Sequence, residues 1–169
     1  MTNADRVIVV TKQFDPVEFL GEDWSIWKGP IDGDGLSGDE DVDRRAQALT
    51  QIPVSSLVFK KYEGSGETKL RYLKATNYIR LSADVFLALW ENYQRNRANS
   101  ILEYLFEKKG IVYLDFLGTI LRHPNGNRVM IYLLRSADGR WCWFCEWFII
   151  NLPIYRNFSF VVESGRLAS

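Results

Sequence analysis

Three segments in the C-terminal half read with a period of two, one face apolar and aromatic and the other apolar with a polar minority. They run from Ile111 to Ile120, from Val129 to Arg135 and from Trp141 to Ile150. Two turn signals separate them, His123-Pro124-Asn125-Gly126-Asn127 and Ser136-Ala137-Asp138-Gly139, so the pattern predicts an antiparallel meander. The first signal suits a type I turn with glycine in the left-handed position. That turn sets Gly118 opposite Tyr132, Leu117 opposite Leu133 and Asp115 opposite Arg135. A second loop of two or four residues then fixes the faces. One face carries Leu114, Phe116, Ile120, Met130, Tyr132, Leu134, Trp141, Trp143, Cys145 and Trp147, and is expected to be the core. Tyr113, Asp115, Leu117, Thr119, Val129, Ile131, Leu133, Arg135, Cys142, Phe144, Glu146 and Phe148 fall on the other. A three-residue loop would invert the assignment.

Upstream the period changes to that of a helix. Phe86, Leu89, Trp90 and Tyr93 recur at helical spacing behind Ser82, with Asp84 in the first turn. Ile101, Leu102, Leu105 and Phe106 form the stripe of a second helix, with Asn99 as expected cap and Gly110 as stop. Asp15-Pro16-Val17-Glu18 before Gly21 predicts one or two helical turns. Trp24 to Trp27, Leu57 to Tyr62 and Phe158 to Val162 read as strands, and Lys69 to Lys74 as either a helical turn or a strand. The resulting class is α+β: an antiparallel meander sheet of three to six strands, with the two helices between Ser82 and Lys109 packed on its aromatic face. Residues 1–169 read as a single domain with a mobile acidic Gly/Asp-rich loop at 29–43.

Composition adds limits. Apolar residues make up 47% and aromatics 14% of the 169, enough to bury a core and to exclude disorder for most of the chain. Glu146 interrupts the longest apolar run, and the first ten residues lack the basic and apolar regions of a signal peptide, so no membrane segment is expected and the cytoplasm is the default location. Formal charge is zero, but residues 1–43 hold eleven carboxylates against three cations and residues 44–98 hold four against ten. The expectation is that these acidic and basic thirds lie against each other and cancel.

Motif-like features are weaker than they look. Cys142-Trp-Phe-Cys145 has the spacing of redox and zinc sites, but on a strand residues three apart point to opposite faces, so two small buried side chains are the better reading. The stretch Asp32 to Asp43 has carboxylates at several calcium-loop positions, yet Leu36, Ser37 and a short Asp43 stand where that loop is strict. Neither a metal nor a cofactor is called for. Lys60, Lys61, Lys69, Arg71, Lys74, Arg80, Arg95 and Arg97, interleaved with tyrosines, form a basic segment. Nucleic acid is disfavoured as its partner, because Asp84 and Glu91 face outward on the adjacent helix and the overall pI is near neutral.

Asp115 and Glu146 interrupt apolar strands on one expected face, near Thr119. Paired carboxylates in such surroundings can support acid–base chemistry, although Arg135 offers Asp115 an ion pair. With one histidine, placed in a turn, no catalytic constellation assembles. The leading expectation is a small soluble non-catalytic binding protein whose partner is another protein. It would be met through the second sheet face or through the charged residues Asp39, Glu40, Asp41, Lys60 and Lys61. Alternatives are a ligand pocket or enzyme site around Glu146, Asp115, Thr119 and Arg135, and nucleic-acid binding over 60–97. If Trp141 to Trp147 were left uncovered, that run would itself be an interface.

Overall fold

The computed structural model describes residues 6–27, 49–62, 64–148 and 158–162, which form four α-helices and ten short strands. In chain order these are β1 (Val7–Val9), α1 (Pro16–Leu20), β2 (Ser25–Ile26), β3 (Gln51–Pro53), β4 (Leu57–Lys61), α2 (Gly66–Lys74) and β5 (Ile79–Arg80). They continue as α3 (Ala83–Arg95), α4 (Ile101–Lys109), β6 (Tyr113–Asp115), β7 (Leu121–Arg122), β8 (Arg128–Arg135), β9 (Trp141–Trp147) and β10 (Phe158–Val162). The fold is α+β with antiparallel sheets throughout. The expected acidic loop, with Asp39, Glu40 and Asp41, lies outside the described residues.

The meander is present, but two local events change its register. Beside the turn the expected alignment holds, with Leu121 opposite Val129 and Arg122 opposite Arg128, and Gly126 in the left-handed region at φ 91°. Farther along, Asp115 lies opposite Tyr132 and not opposite Arg135. The cause is an excursion: residues 116–120 span the interval that only Met130 and Ile131 span on β8. Gly118 leaves the ladder and donates its N–H to Leu81 O at 2.7 Å, while Arg80 Nη1 donates to Leu117 O at 2.9 Å. Those bonds replace the ladder bonds the excursion gives up. A Cβ on Gly118 would stand 2.7 Å from the Leu81 and Arg80 carbonyl oxygens, so only glycine permits the approach.

The second event is the loop between β8 and β9. Ser136 N–H bonds Arg140 O at 2.8 Å and Gly139 has φ 88°, so Ala137 to Gly139 form a three-residue connection. The Ser136 hydroxyl and then Arg140 hold the Asp138 carboxyl down at about 2. Each event displaces the register by an odd number of residues. Between β6 and β9 the two displacements cancel, and β8 alone changes sides. Val129, Ile131 and Leu133 therefore share a face with Trp141, Trp143, Cys145, Trp147 and Leu114, whereas Met130, Tyr132 and Leu134 lie with Cys142, Phe144, Glu146 and Asp115. Ile120 also departs from expectation, joining Met130 in the second cluster.

Helices α3 and α4 pack on the aromatic face. Phe86, Leu89 and Tyr93 of α3 and Leu102 and Leu105 of α4 join Ile131, Leu133 and Trp141 in the larger core cluster. Ser82 is the N-cap of α3, yet its hydroxyl makes no cap bond; Thr119 Oγ1 accepts from Ala83 N–H instead, at 3.0 Å. Ser100, one residue after the expected Asn99, caps α4 by accepting from Glu103 N–H at 3.1 Å. The opposite face is covered by α2, whose buried positions Gly66, Lys69, Leu70 and Leu73 fall at helical spacing. Leu70 and Leu73 pack with Met130, Phe148, Ile120 and Val161. β10 lies between β4 and β5 in a second sheet, and β1 pairs with β3.

Candidate functional site

The four residues expected around a pocket are distributed, not gathered. Asp115 is 1% exposed, and Lys69 of α2, itself 0% exposed, donates to its Oδ2 at 2.8 Å. The Tyr113 hydroxyl donates to the same oxygen at 3.1 Å. Asp115 thus has a cation beside it, but not Arg135. Arg135 lies toward the helices, with Nε 3.0 Å from Glu103 Oε1 and its guanidinium 3.6 Å from the centre of the Phe106 ring; Trp141 Nε1 donates to the same Glu103 oxygen. Thr119 is buried under α3 as its cap. Glu146 does share a face with Asp115, half-buried opposite Met130. Asp115, Thr119 and Arg135 are engaged in holding elements together, a structural use of these polar groups.

The basic segment is divided in the same way. Lys69 and Arg80 are buried, Lys60 sits with its Nζ 4.3 Å from the centre of the Tyr78 ring, and Lys61 is exposed. Cys142 and Cys145 are free and fall on opposite faces of β9, opposite Leu134 and Ile131 respectively. Burial pushes the Cys145 thiol up to about 12. Among the described residues no group of three or more His, Cys, Asp or Glu side chains could hold a metal ion, and no helix is long and apolar enough to cross a membrane.

What the structure adds is the outer edge of β9. Phe148 N–H bonds Arg128 O and Ser136 N–H bonds Arg140 O, so residues 142, 144, 146 and 148 direct their backbone groups toward β8. Trp141, Trp143, Cys145 and Trp147 direct theirs away from it. The outward N–H of Trp141 bonds the Tyr93 hydroxyl of α3 at 3.1 Å. Among the described residues β9 pairs with β8 alone, and the outward N–H groups of Trp143, Cys145 and Trp147 form no hydrogen bond. Phe144, on the other face, is 44% exposed. Edge strands of this length and apolarity are sites of strand pairing unless they are blunted.

A cleft of about 440 Å³ opens on the helix side of the same strand. Phe14, Phe19, Trp90 and Trp143 line its apolar part; the Phe19 and Trp143 ring centres are 4.9 Å apart. Lys12, Asp15, Glu18 and Glu91 supply its charge. α1 is placed there by its caps, since Asp15 Oδ1 accepts from Val17 and Glu18 N–H. Asp84 Oδ1 accepts from Phe14 N–H at 2.6 Å, which ties the segment before α1 to the start of α3. Sequence periodicity assigned Trp90 to the core stripe and passed over Lys12, Glu18 and Glu91. The available signal was that Trp90 and Glu91 sit at the border of that stripe, where a half-buried aromatic meets an acid.

No family model, curated protein or solved structure matches the chain.

Proposed function

We propose that this chain is a small, non-catalytic protein-interaction domain that takes an extended segment of a partner protein as an added strand along β9. The observation that carries the reading is the run of outward backbone groups at Trp143, Cys145 and Trp147, each with one donor and one acceptor on an otherwise apolar strand. Main-chain hydrogen bonds supply affinity in such complexes, and alternate side chains supply selectivity. Here the helix side offers Trp143, Cys145 and Trp147, and the other side offers Phe144. The structural engagement of Asp115, Thr119 and Arg135 favours this reading over an enzyme site, because each is committed to an internal contact.

A displayed library of random twelve-residue peptides tests it. Binders are expected from the library, and Cys145→Pro should abolish their binding, because proline removes an outward donor and fills the space of the added strand. The β8–β9 ladder does not use the Cys145 N–H, so the variant should keep its cooperative unfolding. Peptides that bind Cys145→Pro and the parent chain equally would overturn the reading.

A further inference from the structure

We propose that the cleft beside Trp143 is the specificity pocket for the added segment and accepts a cationic side chain, arginine or lysine. The inference rests on strand addition at β9. In an antiparallel pair, directly opposed residues share a face, so the partner residue opposite Trp143 projects toward the helices and into the cleft. Trp90 and Trp143 present aromatic surface there, and a cation over a tryptophan face is attracted by the ring quadrupole. The acids decide the sign of the guest. Asp15 is occupied in capping α1, and Glu91 is 3.0 Å from Lys12, but Glu18 is exposed in the first turn of α1. Three carboxylates against one ammonium leave the cleft acidic.

The other end of the edge limits what can bind. The Tyr93 hydroxyl occupies the outward N–H of Trp141, so α3 covers the edge at that point, and among the described residues nothing pairs with it from Trp143 onward. A second copy of β9, paired antiparallel and centred on Cys145, would have to carry its own Phe148 toward that covered end. A short external segment has no such continuation.

The test uses small blocked amino acids that cannot form a strand: N-acetyl-arginine methylamide, its norleucine counterpart and its glutamate counterpart. Binding is read from the backbone and indole N–H resonances of the folded chain. The arginine probe is expected to shift the indole signals of Trp90 and Trp143, with the norleucine probe roughly tenfold weaker and the glutamate probe silent. Glu18→Gln should weaken the arginine probe by roughly two- to fivefold, and Lys12→Met should strengthen it by a similar factor by releasing Glu91. Equal binding of norleucine and arginine, shifts located elsewhere, or a Lys12→Met effect of the opposite sign would each overturn the pocket. If the arginine probe behaves as expected while peptides leave the β9 amides unchanged, the pocket stands and strand addition falls. Peptides that add to β9 without preferring a basic residue give the reverse. Self-association that protects the same three amides without peptide would make a second copy the occupant.

Discussion

Replacing Lys69 with methionine isolates the buried ion pair. The Lys69 ammonium lies 2.8 Å from Asp115 Oδ2, and both side chains are closed to solvent. At that separation, with an effective dielectric of about 20, the gross attraction is roughly 6 kcal/mol. Methionine keeps most of the volume and all of the flexibility of the stem, so little packing is lost. The Tyr113 hydroxyl donates to Asp115 before and after the change, so the carboxylate keeps one partner and the loss stays below the gross attraction. The net loss is expected to be about 3–5 kcal/mol, the usual cost of breaking a buried pair from one side. With a urea m-value of about 2 kcal/mol/M, the unfolding midpoint should fall by roughly 2 M. Replacing both partners, Lys69→Met with Asp115→Leu, should recover part of that loss, because the unpaired carboxylate is removed while the buried Tyr113 hydroxyl loses this acceptor. A loss below about 1 kcal/mol for the single change, or a double variant no better than the single one, would refute this reasoning.

Two further outcomes follow from the excursion and from β9. Gly118→Ala should destabilise by about 1–3 kcal/mol in urea or thermal unfolding, because the new Cβ meets backbone carbonyls at 2.7 Å and not a flexible side chain. Cys145 should alkylate slowly with iodoacetamide at pH 8.5, and its rate, followed by mass spectrometry of the modified peptide, should rise only as pH approaches 12. The folded thiol holds its proton more tightly than an unfolded one, so its contribution to stability is complete below about pH 9 and is lost as pH rises from there toward 12.

Helices α1, α3 and α4 were legible in the sequence because their signals are local, whereas α2 was left open between helix and strand. Asp15, Pro16 and Gly21 bound α1 where cap chemistry places them, and α3 begins after Ser82. The meander was legible for the same reason, since its two turns carry their own glycines. Register was legible only as far as the turn reached. The departure at residues 116–120 depends on the carbonyls of Arg80 and Leu81, which lie far away in sequence, and nothing within the strand announces it except Gly118. Asp115 advertised a need for a cation, but the obvious candidate, Arg135, lay on the wrong side once β8 shifted. Lys69 was detectable in retrospect, as the lysine that falls on the buried stripe of α2 with Gly66, Leu70 and Leu73. The cleft was not legible, because it forms where α1, α3 and β9 meet and no single element carries its pattern.

Strand addition at β9 is tested most directly by amide hydrogen exchange, read residue by residue with and without a peptide selected from the random library. In the free chain the N–H groups of Cys142, Phe144 and Glu146 should exchange slowly, and those of Trp143, Cys145 and Trp147 should exchange far faster. With peptide bound, the second set should slow and the first should not change. Protection of Trp143, Cys145 and Trp147 already complete in the free monomer, or a bound peptide that leaves all three exchanging freely, would contradict the assignment of this edge as the binding site.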